Sequence, residues 1–212
     1  LVGDEPLLVC QQTGCPVVID RNRVRGARYL TSQCEVDIVV SDDGLQHLRM
    51  SGVIEIAVVD GDRRFGNGYL LPAGPLREGP SRLDTVDFVV TNGGPTLPGE
   101  HQMRTTIDEA VHLTTGERRP LSQFAKKEVH AIAGTANPSK FFEDLRLAGL
   151  VLRARSFPDH HPYQPSDLND LHLSTVLMTS KDAVKCRNMA GPDWWAVPQT
   201  TEIDDSFKQA IL

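Results

Sequence analysis

Short, almost unbroken apolar runs recur along this chain: Val36–Val40 (VDIVV), Ile54–Val59 (IEIAVV), Val86–Val90 (VDFVV), Val129–Ala133 (VHAIA) and Val176–Met178. A strand with one solvated face alternates apolar and polar residues. Runs this continuous suit strands buried on both faces, the pattern of a parallel sheet covered by helices. Pro16–Ile19 is a weaker candidate of the same kind. Between the runs, helices are expected from their caps. Asn137 precedes a proline at a first helical position, Phe141, Phe142, Leu145 and Ala148 follow at helical spacing, and Gly149 ends the segment. Ser166 is expected to cap a short helix through Leu171, Thr179 or Ser180 another through Val184 and Cys186, and Asp204 or Asp205 a terminal one. Strand and helix in alternation predict an α/β fold.

The length, 212 residues, suits one large domain or two small ones. A hydrophobic share of 40% against 24% charged is that of an ordinary globular chain and leaves enough apolar surface for a sizeable core. With 28 acidic and 22 basic residues the net charge is −6, so no basic surface for a nucleic acid is expected. Cys10, Cys15, Cys34 and Cys186 form no C-x-x-C pair and read as thiols of a reducing compartment rather than zinc ligands. No run approaches the ~18 apolar residues of a membrane span, and no secretory signal opens the chain. The chain starts at Leu1 without an initiator methionine and reads as a piece of a longer protein. Any membrane anchor is therefore expected upstream.

The stretch from Gly61 to Pro80, GDRRFGNGYLLPAGPLREGP, has too many glycines and prolines for a regular element yet carries Arg63, Arg64, Arg77 and Glu78. A long loop with charges suits a binding role. Further turn-rich stretches at Gly93–Glu100 and Gly116–Ser122 mark a boundary between two lobes.

Polar constellations stand out against this background. The run VDIVV leads into SDDGLQH, so Asp42 and Asp43 are expected at the carboxyl end of a strand, where open α/β sheets bind ligands. A Walker-B carboxylate, which holds the Mg²⁺ of bound ATP, has this layout. The same residues also read as a plain Asp-Asp-Gly turn, but Gln46 and His47 crowd more polar groups onto the same end. Asp4 and Glu5 in GDEP read as solvated turn residues on their own. In FPDHHPY, Asp159, His160 and His161 leave three readings open: a proton-transfer dyad, a metal site or a polar loop. In LLPAGPLRE, Arg77 offers a planar fork for phosphate and Glu78 a metal or second-layer carboxylate, or the two form a surface ion pair.

Taken in order, GDEP, DDGLQH, VVDG, FGNGYLLPAGPLRE, VTNGG, AGTANPSKFF, FPDH and KDAVK resemble the lipid A 4′-kinase (tetraacyldisaccharide 4′-kinase) family from Gly3 to the C-terminal region. The resemblance implies a P-loop-kinase-like parallel sheet core with a second, smaller α/β lobe. Residues 1–118 would be the C-terminal part of the nucleotide-binding and catalytic domain, and 119–212 the smaller lobe closing over the nucleotide. It implies ATP and Mg²⁺ as cofactors and phosphorylation of the 4′-hydroxyl of tetraacyldisaccharide 1-phosphate at the cytoplasmic face of a Gram-negative inner membrane. By the same resemblance, Asp4 and His160 would be the catalytic dyad. Asp42, Asp43, Gln46 and Glu78 would serve the metal, and Arg77 and His47 the phosphate surroundings.

The chain departs from that pattern in three places. The Walker A loop, G-x-x-x-x-G-K-[ST], does not occur in it. In the family this loop lies upstream of GDEP with a membrane-associated segment, so the fragment alone is expected to be inactive. Thr135-Ala136 stands for Ile-Gly in AGIGNP, and Ser180 stands where a Glu usually precedes Lys181. Two rival readings remain: a metal-dependent phosphoesterase of the DHH type, which would need further Asp and His ligands, and an inactive fragment with a binding role only.

Overall fold

The computed structural model describes residues 3–50 and 52–211. In chain order its elements are α1 (Asp4–Thr13), α2 (Arg23–Gln33), β1 (Ile56–Asp60), β2 (Phe88–Asn92), β3 (His101–Thr106), β4 (Glu109–His112), β5 (Arg118–Pro120) and β6 (Glu128–Ala133). There follow α3 (Pro138–Leu147), β7 (Val151–Ser156), α4 (Pro165–Leu168), β8 (Val176–Thr179), α5 (Ser180–Cys186), β9 (Trp194–Val197), β10 (Thr200–Ile203) and α6 (Asp205–Ile211). Two compact units result: Leu1–Ile19 with Thr106–Thr200, and Asp20–Thr105 with Thr201–Leu212.

The first unit is built on a six-stranded sheet in the order β5-β4-β9-β8-β6-β7. The strands β7, β6, β8 and β9 run parallel, while β4 joins β9 and β5 in antiparallel fashion. Alternate residues of β6 go to opposite faces, and both faces are buried. Val129, Ala131 and Ala133 pack with Leu177, Trp195 and the Phe141, Phe142 and Leu145 face of α3. Ile132 packs with Val176, Met178, Trp194, Leu168 and Leu171 on the other face. This is why the sequence runs read as continuous rather than alternating.

Helix α3 forms as its caps predict. The Asn137 side chain accepts from the Lys140 amide at 3.4 Å, Pro138 takes the first turn, and Gly149 follows with φ +87°. Thr179 caps α5 by accepting from the Asp182 amide. The cap of α4 is Gln164, not Ser166. Gln164 and Asp167 exchange side-chain-to-backbone bonds, which sets the first turn before Ser166 is reached.

The second unit holds a four-stranded sheet, β1-β2-β3-β10, with β1, β2 and β3 parallel. Asp204 ties its far edge together by accepting from the amides of Gln102 and Phe207, both at 2.8 Å, the second of which opens α6. Phe207 of α6 then sets its ring edge-on to Phe88 of β2, at 5.3 Å between centroids.

Two expected strands are absent. Val36–Val40 and Pro16–Ile19 are irregular, and Ile38 and Val40 are 80% and 89% exposed. A strand exists through the ladder of hydrogen bonds to its neighbour. Among the described residues no ladder includes either run. The strands at β1 and β2 start two residues later than the apolar runs do, because the pairing is set where Asp87 and Phe88 both donate their amides to the Glu55 carbonyl.

Candidate active-site residues

In the second unit, the SDDGLQH segment is a series of tight turns rather than a strand end. Asp43 takes a left-handed backbone, φ +51°, a conformation that a short polar side chain tolerates. The Asp42 carbonyl accepts from the Arg23 guanidinium at 3.4 Å. The side chains of Asp42, Asp43, Gln46 and His47 are all exposed.

The glycine- and proline-rich loop is folded on itself. Asn67 donates to the Ala73 carbonyl at 2.9 Å and accepts from the Tyr69 amide at 3.1 Å. Gly74 sits against this clasp so closely that a Cβ there would lie 2.2 Å from both the Asn67 side-chain oxygen and the Tyr69 carbonyl. The loop thereby delivers Arg77 and Glu78 to Gln46. Arg77 donates to Gln46 Oε1 at 3.3 Å, and Gln46 Nε2 donates to Glu78 Oε2 at 3.4 Å. Arg82, paired with Glu55 at 2.8 Å, lies 3.9 Å from Glu78 and steadies it from behind. Gln46, Arg77 and Glu78 are thus brought together, over 31 and 32 residues of chain. Among the described residues, no group of three or more carboxylate, imidazole or thiol side chains stands close enough to hold a metal ion.

The first unit carries the other candidates. Asp4 begins α1, and its side chain lies outside the described residues. The helix it opens packs on α5, and Glu5 forms an ion pair with Lys181 at the start of that helix. His160 follows β7 on a loop tied to the end of β6. Phe157 donates its amide to Ala133 at 2.8 Å, and His160 donates its own to Gly134 at 3.3 Å and to Asp159 Oδ1 at 3.1 Å. His160 is in the left-handed region, φ +56°, and its ring is 62% exposed.

His161 is committed elsewhere. Its Nε2 is 3.0 Å from Asp167 Oδ2, and its ring stacks on Phe157 at 4.9 Å. Hydrogen bonds from the Gln164 amide and from His161 hold the Asp167 carboxyl below the usual range. The two histidines therefore have different surroundings, one facing outward and one packed.

Sequence reasoning missed a buried polar group beside His160. Asp182 is fully buried, and its Oδ2 accepts from the Gly134 amide at 3.0 Å and the Thr179 hydroxyl at 2.7 Å. The spacing Thr179-x-x-Asp182 does carry a capping-box signal, but that signal points to a helix cap, not to a contact 48 residues away. A second missed feature is the pairing of Arg64 with Glu100, described below.

The whole sequence, residues 1–212, matches the family described as tetraacyldisaccharide-1-P 4′-kinase, LpxK. Proteins named tetraacyldisaccharide 4′-kinase from Nitrosococcus oceani and Methylobacillus flagellatus are each 46% identical over all of this chain, which covers 62% and 64% of them. That of Legionella pneumophila is 45% identical, again over all of this chain and 64% of its own. The chain thus spans a little less than two thirds of these relatives' length. A crystal structure described as the "apo" form of LpxK from Aquifex aeolicus in complex with ATP shares the fold, with a TM-score of 0.76 at 23% identity. The match covers 98% of this chain and 66% of that one.

Proposed function

This chain belongs to the tetraacyldisaccharide-1-P 4′-kinase family, and on that premise we propose that it serves an ATP- and Mg²⁺-dependent kinase. The acceptor is the 4′-hydroxyl of a tetraacylated glucosamine disaccharide 1-phosphate. The observation that carries this reading is the family match over the entire chain, residues 1–212. The nucleotide in the related Aquifex aeolicus structure supports ATP as the phosphoryl donor.

A sugar hydroxyl is a weak nucleophile, so a base that takes its proton as the new P–O bond forms lowers the barrier. His160, outward-facing and fixed by its backbone, is assigned that role with Asp4 as its partner. Arg77 offers the charge and fork geometry to hold phosphate oxygens, and Gln46 orients it through their shared hydrogen bond. Asp42, Asp43, Gln46 and Glu78 fit Mg²⁺ by their chemistry, since all offer hard oxygen donors. When bound, Mg²⁺ neutralises phosphate charge; these side chains orient it, and His47 lies in the same turn-rich segment.

No helix among the described residues is long and apolar enough to cross a membrane. In this reading the acyl chains stay in the bilayer, at the cytoplasmic face of the inner membrane, and contact with it falls to the upstream segment of the family. A DHH-type phosphoesterase is not favoured, because it needs several more Asp and His ligands than these turns supply.

The test is a transfer assay with labelled ATP, Mg²⁺ and tetraacyldisaccharide 1-phosphate in detergent micelles. It uses the protein carrying the upstream Walker A segment. Label entering the lipid, and lost in His160→Ala, supports the reading. A folded, ATP-binding protein that labels no lipid overturns the acceptor assignment.

A further inference from the structure

The polar group buried behind His160 has no role in the chemistry above. Asp182 sits in the first turn of α5 with no exposed surface, and its Oδ2 takes two donors, the Gly134 amide and the Thr179 hydroxyl. Its other oxygen and the Tyr163 hydroxyl are buried as well, and neither makes a well-formed hydrogen bond in this arrangement. Both crowd Gly134, where a Cβ would lie 2.9 Å from the Tyr163 hydroxyl, 3.1 Å from Asp182 Oδ1 and 3.2 Å from the Pro158 carbonyl. Lys185 Nζ stands 3.8 Å from the same carboxylate oxygen.

A buried carboxylate is costly unless it is paired and hydrogen-bonded, and Asp182 has both Lys185 nearby and two donors. Here it fixes the residue that carries the His160 loop. Gly134 is the first residue beyond β6. Its amide is held by Asp182, and its carbonyl accepts the His160 amide. Among the described residues, the other backbone tie between this loop and the strand is the bond from Phe157 to Ala133 at 2.8 Å. A left-handed histidine costs on the order of 1 kcal/mol, so it persists only where its surroundings hold it.

We infer that Asp182 is a positioning residue for His160, acting through Gly134. This rests on the assignment of His160 as the base, and it adds a requirement that the assignment alone does not make. The carboxylate oxygen acts as a hydrogen-bond acceptor; it touches neither nucleotide nor sugar. An asparagine can keep an oxygen at the same place and present its amide to the Tyr163 hydroxyl, whereas an alanine leaves the Gly134 amide buried without a partner.

The experiment compares wild type, Asp182→Asn, Asp182→Ala and His160→Ala in the protein with its upstream segment. The readouts are transfer kinetics and amide hydrogen exchange of the peptides spanning Gly134 and residues 157–161. Displacing a base by a fraction of an ångström slows chemistry without weakening nucleotide binding. Asp182→Ala should therefore lower kcat by roughly tenfold or more while leaving the KM for ATP within about twofold. It should also speed exchange at Gly134 and His160, and Asp182→Asn should restore both to near wild type.

Wild-type kcat and unaltered exchange in folded Asp182→Ala would overturn the inference. So would an Asn variant as impaired as the Ala variant, since that would make charge, not the acceptor, the essential property. If the Ala variant does not fold, the Asn variant's kinetics and exchange decide alone: near-wild-type values support the inference and a full loss overturns it. Failure of the kinase reading itself shows separately, as absence of transfer by wild type, and leaves the exchange comparison intact.

Discussion

Arg64 grips Glu100 with both arms of its guanidinium, Nη2 to Oε1 at 2.6 Å and Nη1 to Oε2 at 2.9 Å, across 36 residues of chain. Arg64 itself is left-handed, φ +49°, at the start of the glycine- and proline-rich loop. Glu100 also accepts from the Thr91 hydroxyl and the Leu97 amide. The pair therefore joins that loop to the end of β2 and the turn before β3, and its carboxylate is only 9% exposed.

Hydrogen bonds from Arg64, ahead of those from Thr91 and Leu97, hold the Glu100 carboxyl down to about 2 from 4.5. A carboxyl depressed in the folded state stabilises above its unfolded pKa and loses that contribution as pH falls through the folded one. Glu100→Gln should thus cost about 3 kcal/mol near neutral pH, the low end for breaking one side of a buried pair. The difference from wild type should narrow below pH 4.5 and vanish below about 2. Urea unfolding as a function of pH measures it, and a gap that stays constant across that range would refute the assignment.

Neighbouring leucines on α3 offer a clean contrast. Leu145 is fully buried against the sheet, and Leu147 is 80% exposed. Leu145→Ala should destabilise by roughly 2–5 kcal/mol through lost burial and the cavity it leaves, and Leu147→Ala by no more than about 0.5 kcal/mol. Equal shifts in the denaturation midpoint would mean that the helix face is misassigned.

Gly134→Ala should destabilise by about 1–3 kcal/mol, because the added methyl meets the rigid Tyr163 hydroxyl, Asp182 and the Pro158 carbonyl together. Removing the hydroxyl with Tyr163→Phe should return part of that loss. A double-mutant cycle reads the coupling, and strict additivity would contradict the crowding.

Asp43→Ala, in the protein with its upstream segment, should raise the Mg²⁺ concentration for half-maximal transfer by roughly tenfold, the equivalent of about 1.4 kcal/mol. An unchanged Mg²⁺ titration would remove Asp43 from the metal surroundings. Arg77→Ala should instead raise the KM for ATP, a different signature from the same cluster.

The strands β6 and β8 and the caps of α3 and α5 were legible because their signals lie within a few residues of the element itself. Asn137, Pro138 and Gly149 mark the ends of one helix, and Thr179 marks the start of another. The polar motifs were legible for a different reason: their order and spacing match a family closely enough to name candidate residues. Val36–Val40 misled, since apolar composition is shared by a paired strand and an exposed segment, and only a neighbour's hydrogen bonds separate the two.

The sequence by itself determined the α/β class, the family and the identity of the candidate side chains, all properties carried by local pattern and motif. Only the tertiary structure decided which distant groups meet: Arg77 with Gln46, Arg64 with Glu100, and Asp182 with Gly134 under the His160 loop. Those contacts span 31 to 48 residues. They depend on strand order and loop closure, which bring together groups whose own neighbourhoods in sequence say nothing of each other.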